Sequence, residues 1–248
     1  MHHGLVDEMA QRTSPRDELV DTQRDNGQVA ATFARLAVEM HDAVGVEETV
    51  QAIVEFALQA LNCDYAGVAL RVRGQAEVPA VTDPTVAEIY QFQMLDGAGP
   101  LVDCLRSGAT VLVPDVVNES RWPQWAAKVL GLGVRSVLDV PLQTASGTIG
   151  VLGLYSVEPD AFGPDEDAVA HILAQHASVA VATARREETM ALAVDARKLV
   201  GQAMGILMER YGLDGDRAFQ VLQRYSQQTN TKLRDVAQHL IDTRKLPH

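Results

Sequence analysis

The sequence predicts an α+β fold, an antiparallel-sheet sandwich with flanking helices, joined by one long helix to an all-α three-helix bundle. Three observations carry that expectation. Between Tyr65 and Ser156, alternating or continuous apolar runs of strand length are separated by turn residues. Two of these runs, 135–143 and 148–156, are joined by Thr144-Ala145-Ser146-Gly147 and have the form of a hairpin. From Asp165 the periodicity turns helical and continues through Glu187–Met208 without a Gly-Pro break, which predicts one long connecting helix.

Taken in order, residues 1–27 lack apolar periodicity and are expected to form a disordered arm. Val29, Phe33, Leu36 and Met40 recur at spacings of 4, 3 and 4. That is the seam of a helix at 28–43, packed either on its own domain or on a second chain. A second helix follows at Val46–Leu61, with Val50, Ile53, Val54, Ala57, Leu58 and Leu61 on one face. Strands are expected at 65–73, at 76–82 and, briefly, at 111–115, with helices at 84–95, 101–106 and 122–130.

Composition places the chain among ordinary globular proteins, with 248 residues, 47% apolar and 22% charged. No window approaches the roughly 18 apolar residues of a membrane span. The polar, acidic opening has no signal-peptide pattern, so a cytoplasmic location is expected. Cys63 and Cys104 form no CxxC pair and are read as small buried hydrophobes. His171 and His176 stand five apart on a helix and so diverge by about 140°, and no metal site is expected. Charge is asymmetric: residues 1–189 hold 12 basic against 27 acidic side chains, whereas residues 190–248 hold 9 against 6. An anionic partner is therefore expected on the last sixty residues.

Residues 44–186 resemble a GAF domain, a sensory fold whose antiparallel sheet carries helices on one side and a ligand cavity on the other. The matching residues are Gly99-Pro100-Leu101, Cys104-Leu105, Gly108, Val111 to Asp115, the hairpin strands Ser136 to Leu142 and Gly150 to Ser156, Phe162 and Asp165-Glu166. Gly150 and Gly153 imply a close approach to that strand by a ligand or by a neighbouring element. The resemblance supplies no residue set for a particular ligand, so the cofactor stays unassigned. Asp115 and Asp139 are read as strand-end and turn residues rather than as catalytic carboxylates.

Residues 187–248 resemble an ANTAR domain, a three-helix RNA-binding module of bacterial antiterminators. The resemblance rests on Arg197, Val200, Gln202-Ala203, Gly205-Ile206-Leu207-Met208, Gly212, Ala218-Phe219, Leu222, Tyr225-Ser226, Asn230, Lys232-Leu233 and Val236-Ala237. One departure is Met204, where the family usually has Lys or a similar polar residue. The bundle also follows from the residues alone. Gly212 suits a left-handed helix end, Asp214 suits an N-cap, and Leu233, Val236, Ala237, Leu240 and Ile241 form one apolar stripe.

The function implied is a non-enzymatic transcription antitermination regulator that binds RNA stem-loops under control of a small-molecule or protein signal at the GAF-like part. The RNA-binding set expected is Gln202, Ala203, Gly205, Arg217, Arg224, Tyr225, Asn230, Lys232 and Arg234. Cations hold phosphates, and Asn, Gln or Tyr reads or stacks an unpaired base. Gly201 and Gly205 inside a helix call for a close helix neighbour, so a coiled-coil homodimer through the long helices is expected. Three other readings stay open: a DNA-binding factor, a GAF ligand or redox sensor with a merely dimerising tail, and a module that now binds protein.

Overall fold

The computed structural model describes residues 35, 36, 38 and 43–246. In chain order the elements are α1 (Gly45–Ala60), β1 (Tyr65–Val72), β2 (Gln75–Val81), α2 (Pro84–Asp96), α3 (Pro100–Ser107), β3 (Val111–Val113), a 3-10 turn (Val116–Asn118) and α4 (Pro123–Gly131). There follow β4 (Ser136–Thr144), β5 (Gly147–Ser156), α5 (Pro164–Tyr211), α6 (Gly215–Gln228) and α7 (Leu233–Thr243). The five strands make one antiparallel sheet in the order β2-β1-β5-β4-β3. Pro79, which cannot donate to a ladder, falls in the edge strand β2. The expected hairpin forms, with Ser136 opposite Ser156 and Thr144 opposite Gly147, leaving Ala145-Ser146 as the loop.

Strands β1, β4 and β5 read as almost continuous apolar runs because the sheet is covered on both faces. Val68, Leu70, Leu138, Val140, Leu152 and Leu154 share one core with Val50, Ile53 and Phe56 of α1 and with Leu173, Ala177 and Val181 of α5. The alternate residues Ala69, Val137, Val151 and Tyr155 share a second core with Val86, Ile89 and Tyr90 of α2, Leu101 and Cys104 of α3, and Trp125 and Val129 of α4. Period-two alternation assigns neighbouring side chains to opposite faces, so both sets must be apolar. Helices therefore stand on the face where the resemblance implied a ligand cavity.

Asp139 departs from the expectation of a turn residue. It lies in the middle of β4, opposite Gly153 of β5, and is fully buried. Its polarity suggested a turn, but the strand runs on through it, as the apolar run 135–143 implied, to Thr144. Asp115 does follow β3, where its carboxylate caps the 3-10 turn and receives two N–H groups of Arg135 at 3.1 Å.

Two compact units result, Met1–Ala184 and Arg185–His248, and α5 runs through the division. In the second unit Ala203 and Leu207 of α5, Ala218 and Leu222 of α6, and Val236, Ala237 and Leu240 of α7 form a separate core. The sequence signals hold here in detail. Gly212 has φ 63° directly after α5, and the Asp214 side chain accepts from Arg217 N at 2.8 Å to cap α6. The expected arm at 1–27 and most of the expected seam Val29–Met40 lie outside the described residues; of the seam, Leu36 is buried in the first core of the sheet unit.

The hairpin glycines are explained by neighbouring elements. A Cβ on Gly150 would stand 2.5 Å from the Ala69 carbonyl of β1, and one on Gly153 would stand 2.5 Å from the Tyr90 hydroxyl. Gly150→Ala is expected to destabilise the sheet unit by about 1–3 kcal/mol, because a backbone oxygen cannot step aside. Gly131→Ala, with nothing within 4 Å, serves as the control. Urea unfolding followed by tryptophan fluorescence checks this, since both tryptophans, Trp122 and Trp125, belong to that unit. Equal midpoints for the two variants would contradict it.

Candidate nucleic-acid interface

The exposed cations of the second unit sit on the outer surfaces of its three helices. Arg217 and Arg224 are both exposed and, seven residues apart, lie within about 20° of each other around α6. The Arg217 Nε is 3.6 Å from Asp214 Oδ2, with both side chains mostly in solvent, a pairing too weak to withhold the guanidinium from a phosphate. Asn230 follows α6 in the left-handed region at φ 50°, and Lys232 is the N-cap residue of α7. Arg234 stands in the first turn of α7 with its Nε 3.1 Å from Asp235 Oδ1. All three are exposed.

The other expected residues divide. Gln202 and Gly205 are exposed on α5, Tyr225 is half-buried against the three-helix core, and Ala203 is wholly inside that core. Ala203 thus places α5 against its neighbours and presents no side chain to a ligand. Gly201 and Gly205 face open space, with nothing within 4 Å of a Cβ built on either. Their close neighbour is therefore not found among the described residues of this chain.

A groove that the sequence analysis did not single out lies between α5, α6 and the start of α7. It has a volume of about 370 Å³ and is lined by Val200, Gly201, Met204, Phe219 and Leu233 together with Arg197 and Arg234. Phe219 is 39% exposed there. The helical angles separate this groove from other expected residues. Arg217 is about 160° and Arg224 about 140° around α6 from Phe219, and Gln202 is about 160° around α5 from Met204. Of the nine expected residues, Arg234 alone lines it. A signal was present in the sequence: Val200, Met204 and Phe219 exceed what the apolar stripes of three short helices need.

Among the described residues of the first unit, Asp139 is a fully buried acidic side chain. Neither carboxylate oxygen has a hydrogen-bond partner, and burial pushes its pKa up to about 8. The Tyr90 hydroxyl donates to Gly67 O at 3.0 Å, and the Tyr90 and Tyr155 rings meet edge to face at 6.1 Å. The Cys104 thiol lies 3.6 Å from the Asp139 carbonyl, and burial followed by the charge of Asp139 pushes its pKa far up. Cys63 is pushed up to about 12, chiefly by burial. Neither thiol is poised as a nucleophile. Among the described residues no three His, Cys, Asp or Glu side chains are grouped to hold a metal ion, and no helix is long and apolar enough to cross a membrane.

Comparison with known proteins matches the two units separately. Residues 45–181 match the GAF domain family and residues 188–241 match the ANTAR domain family. A curated relative, the anaerobic nitric oxide reductase transcription regulator NorR of Enterobacter sp. (strain 638), is 28% identical over 154 residues, which is 60% of this chain and 30% of that protein. The chain thus spans about a third of the length of the curated relatives it matches. The GAF domain of a phosphoenolpyruvate-protein phosphotransferase from Coxiella burnetii superposes with TM-score 0.51 at 17% identity, over 65% of this chain and 96% of that one. The free methionine-R-sulfoxide reductase of Neisseria meningitidis superposes with TM-score 0.51 at 16% identity, over 64% and 91%. These likenesses establish the fold of the first unit.

Asp139 gives a pH dependence with a definite sign. Its ordinary pKa in an unfolded chain is about 3.9, so between that value and about 8 the folded chain holds a proton that the unfolded chain has released. Stability is fully present below pH 4, falls as pH rises through this window, and levels off above about 8. From pH 5 to pH 8 the loss from this group is expected to reach up to about 4 kcal/mol. Asp139→Asn removes it. Urea midpoints by tryptophan fluorescence should converge on a flatter profile for the variant; identical slopes in both proteins would refute the assignment.

Proposed function

This chain belongs to the GAF family and carries an ANTAR domain behind its GAF domain, and from that premise we propose that it is a transcription antitermination regulator that binds stem-loops in nascent RNA. The observation that carries the reading is the exposed set Arg217, Arg224, Asn230, Lys232 and Arg234 on a bundle matching the ANTAR family, at the basic end of an otherwise acidic chain. Phosphates are held by Arg217, Arg224, Lys232 and Arg234, and the amides of Asn230 and Gln202 meet loop bases. Tyr225 supports the α6 face from beneath, Gly205 leaves the surface of α5 open, and Ala203 packs α5 against its neighbours.

Binding alone is enough for this task. A regulator that holds one RNA hairpin fold lowers its free energy relative to the competing terminator, and the populations follow. The chain acts in the cytoplasm as a homodimer paired along α5. Two features support the pairing: Gly205 presents open backbone, and Met190 and Val194, both within about 60° of it around the same helix, are each more than half exposed. A signal received by the GAF domain alters that pairing or the exposure of the bundle. The deep burial of Cys104 argues against a thiol redox signal at that residue.

Competition between hairpin RNA and duplex DNA of the same sequence tests the reading, with hairpin preference expected. Duplex preference would replace antitermination with DNA binding. In the same assay, Arg217→Ala and Arg224→Ala should each weaken binding across all hairpin sequences and lower the slope of log affinity against log salt by about 1. Unchanged slopes would remove the α6 face from the interface.

A further inference from the structure

Resting on the RNA reading above, we propose that the groove between α5, α6 and α7 is a pocket for one unpaired base of the bound RNA loop. The base stacks on Phe219 and packs against Met204 and Leu233, while the phosphates on either side of it meet Arg197 and Arg234.

Three observations combine here. The groove is lined mostly by apolar residues together with two arginines, Arg197 and Arg234, so it suits a ligand that combines a flat, weakly polar part with anionic groups beside it. One nucleotide of a single strand has that distribution, and unstacked bases of RNA loops are recognised on aromatic faces. Its volume of about 370 Å³ lies at the lower end of the range for small-molecule sites, enough for a base and part of its sugar. Met204 makes that wall uncharged. The position therefore cannot hold a phosphate and instead gives a base an apolar contact.

The test uses the full chain and a pool of RNA hairpins with randomised loops, from which a retained hairpin is taken forward. Its affinity is measured for the wild type, Phe219→Leu and Phe219→Tyr, and again with an abasic nucleotide at each loop position in turn. Phe219→Leu should weaken binding roughly tenfold while Phe219→Tyr keeps it, since stacking needs the ring. One abasic position should cause a similar loss in the wild type and little further loss in Phe219→Leu, the coupling expected of direct partners. Thermal melts by circular dichroism confirm that the variants fold, as Phe219 lies outside the buried core.

If hairpins bind but no loop position couples to Phe219, the pocket is refuted while the RNA reading stands. Retention of no hairpin from the pool by the wild type overturns both. A shift of Phe219→Leu from two copies to one in sedimentation, with hairpin affinity unchanged, makes the groove a protein seat and overturns the proposal.

Discussion

Burial of one helix in two separate cores is the interaction on which the rest depends. The first part of α5 gives Ala170, Leu173, Ala177 and Val181 to the sheet unit, and its last part gives Ala203 and Leu207 to the three-helix unit. In folded proteins most helical stability comes from tertiary packing rather than intrinsic propensity, and α5 packs at both of its ends. Between those contacts, residues 186–195 are exposed throughout. Neither core closes without α5, so the sensory fold and the bundle share a structural element rather than a mere tether.

The doubly covered sheet accounts for much of the rest. Because helices lie on both faces, the strands tolerate few polar or bulky residues, and glycine appears where an adjacent strand or Tyr90 comes closest. Asp139 is the cost of this arrangement, a carboxyl kept neutral at ordinary pH by its surroundings. The same packing seals Cys104 and makes it an inert thiol.

Local signals made most of the fold legible. The hairpin could be placed from its turn and alternation, the end of α5 from Gly212, and the start of α6 from Asp214, because each reports an interaction within a few residues. The course of β4 was legible, but the burial of Asp139 within it was not, since that depends on Gly153 opposite it on β5 and on the elements packed over that face. The exposed cations of the second unit were legible by residue type, but how they are arranged was not. Sequence spacing put Arg217 and Arg224 together correctly, yet it could not reveal that Ala203 faces inward or that α7 brings Leu233 and Arg234 beside Phe219. Those juxtapositions arise when three helices pack, and no single helix pattern encodes them.

The uncovered middle of α5 has a consequence of its own. In a lone molecule, the amide hydrogens of residues 186–195 are guarded only by the helix they belong to, and local opening there disturbs neither core. Deuterium uptake along those ten residues is therefore a direct gauge of company: rapid labelling marks a solitary chain, and slow labelling marks one lying alongside another body.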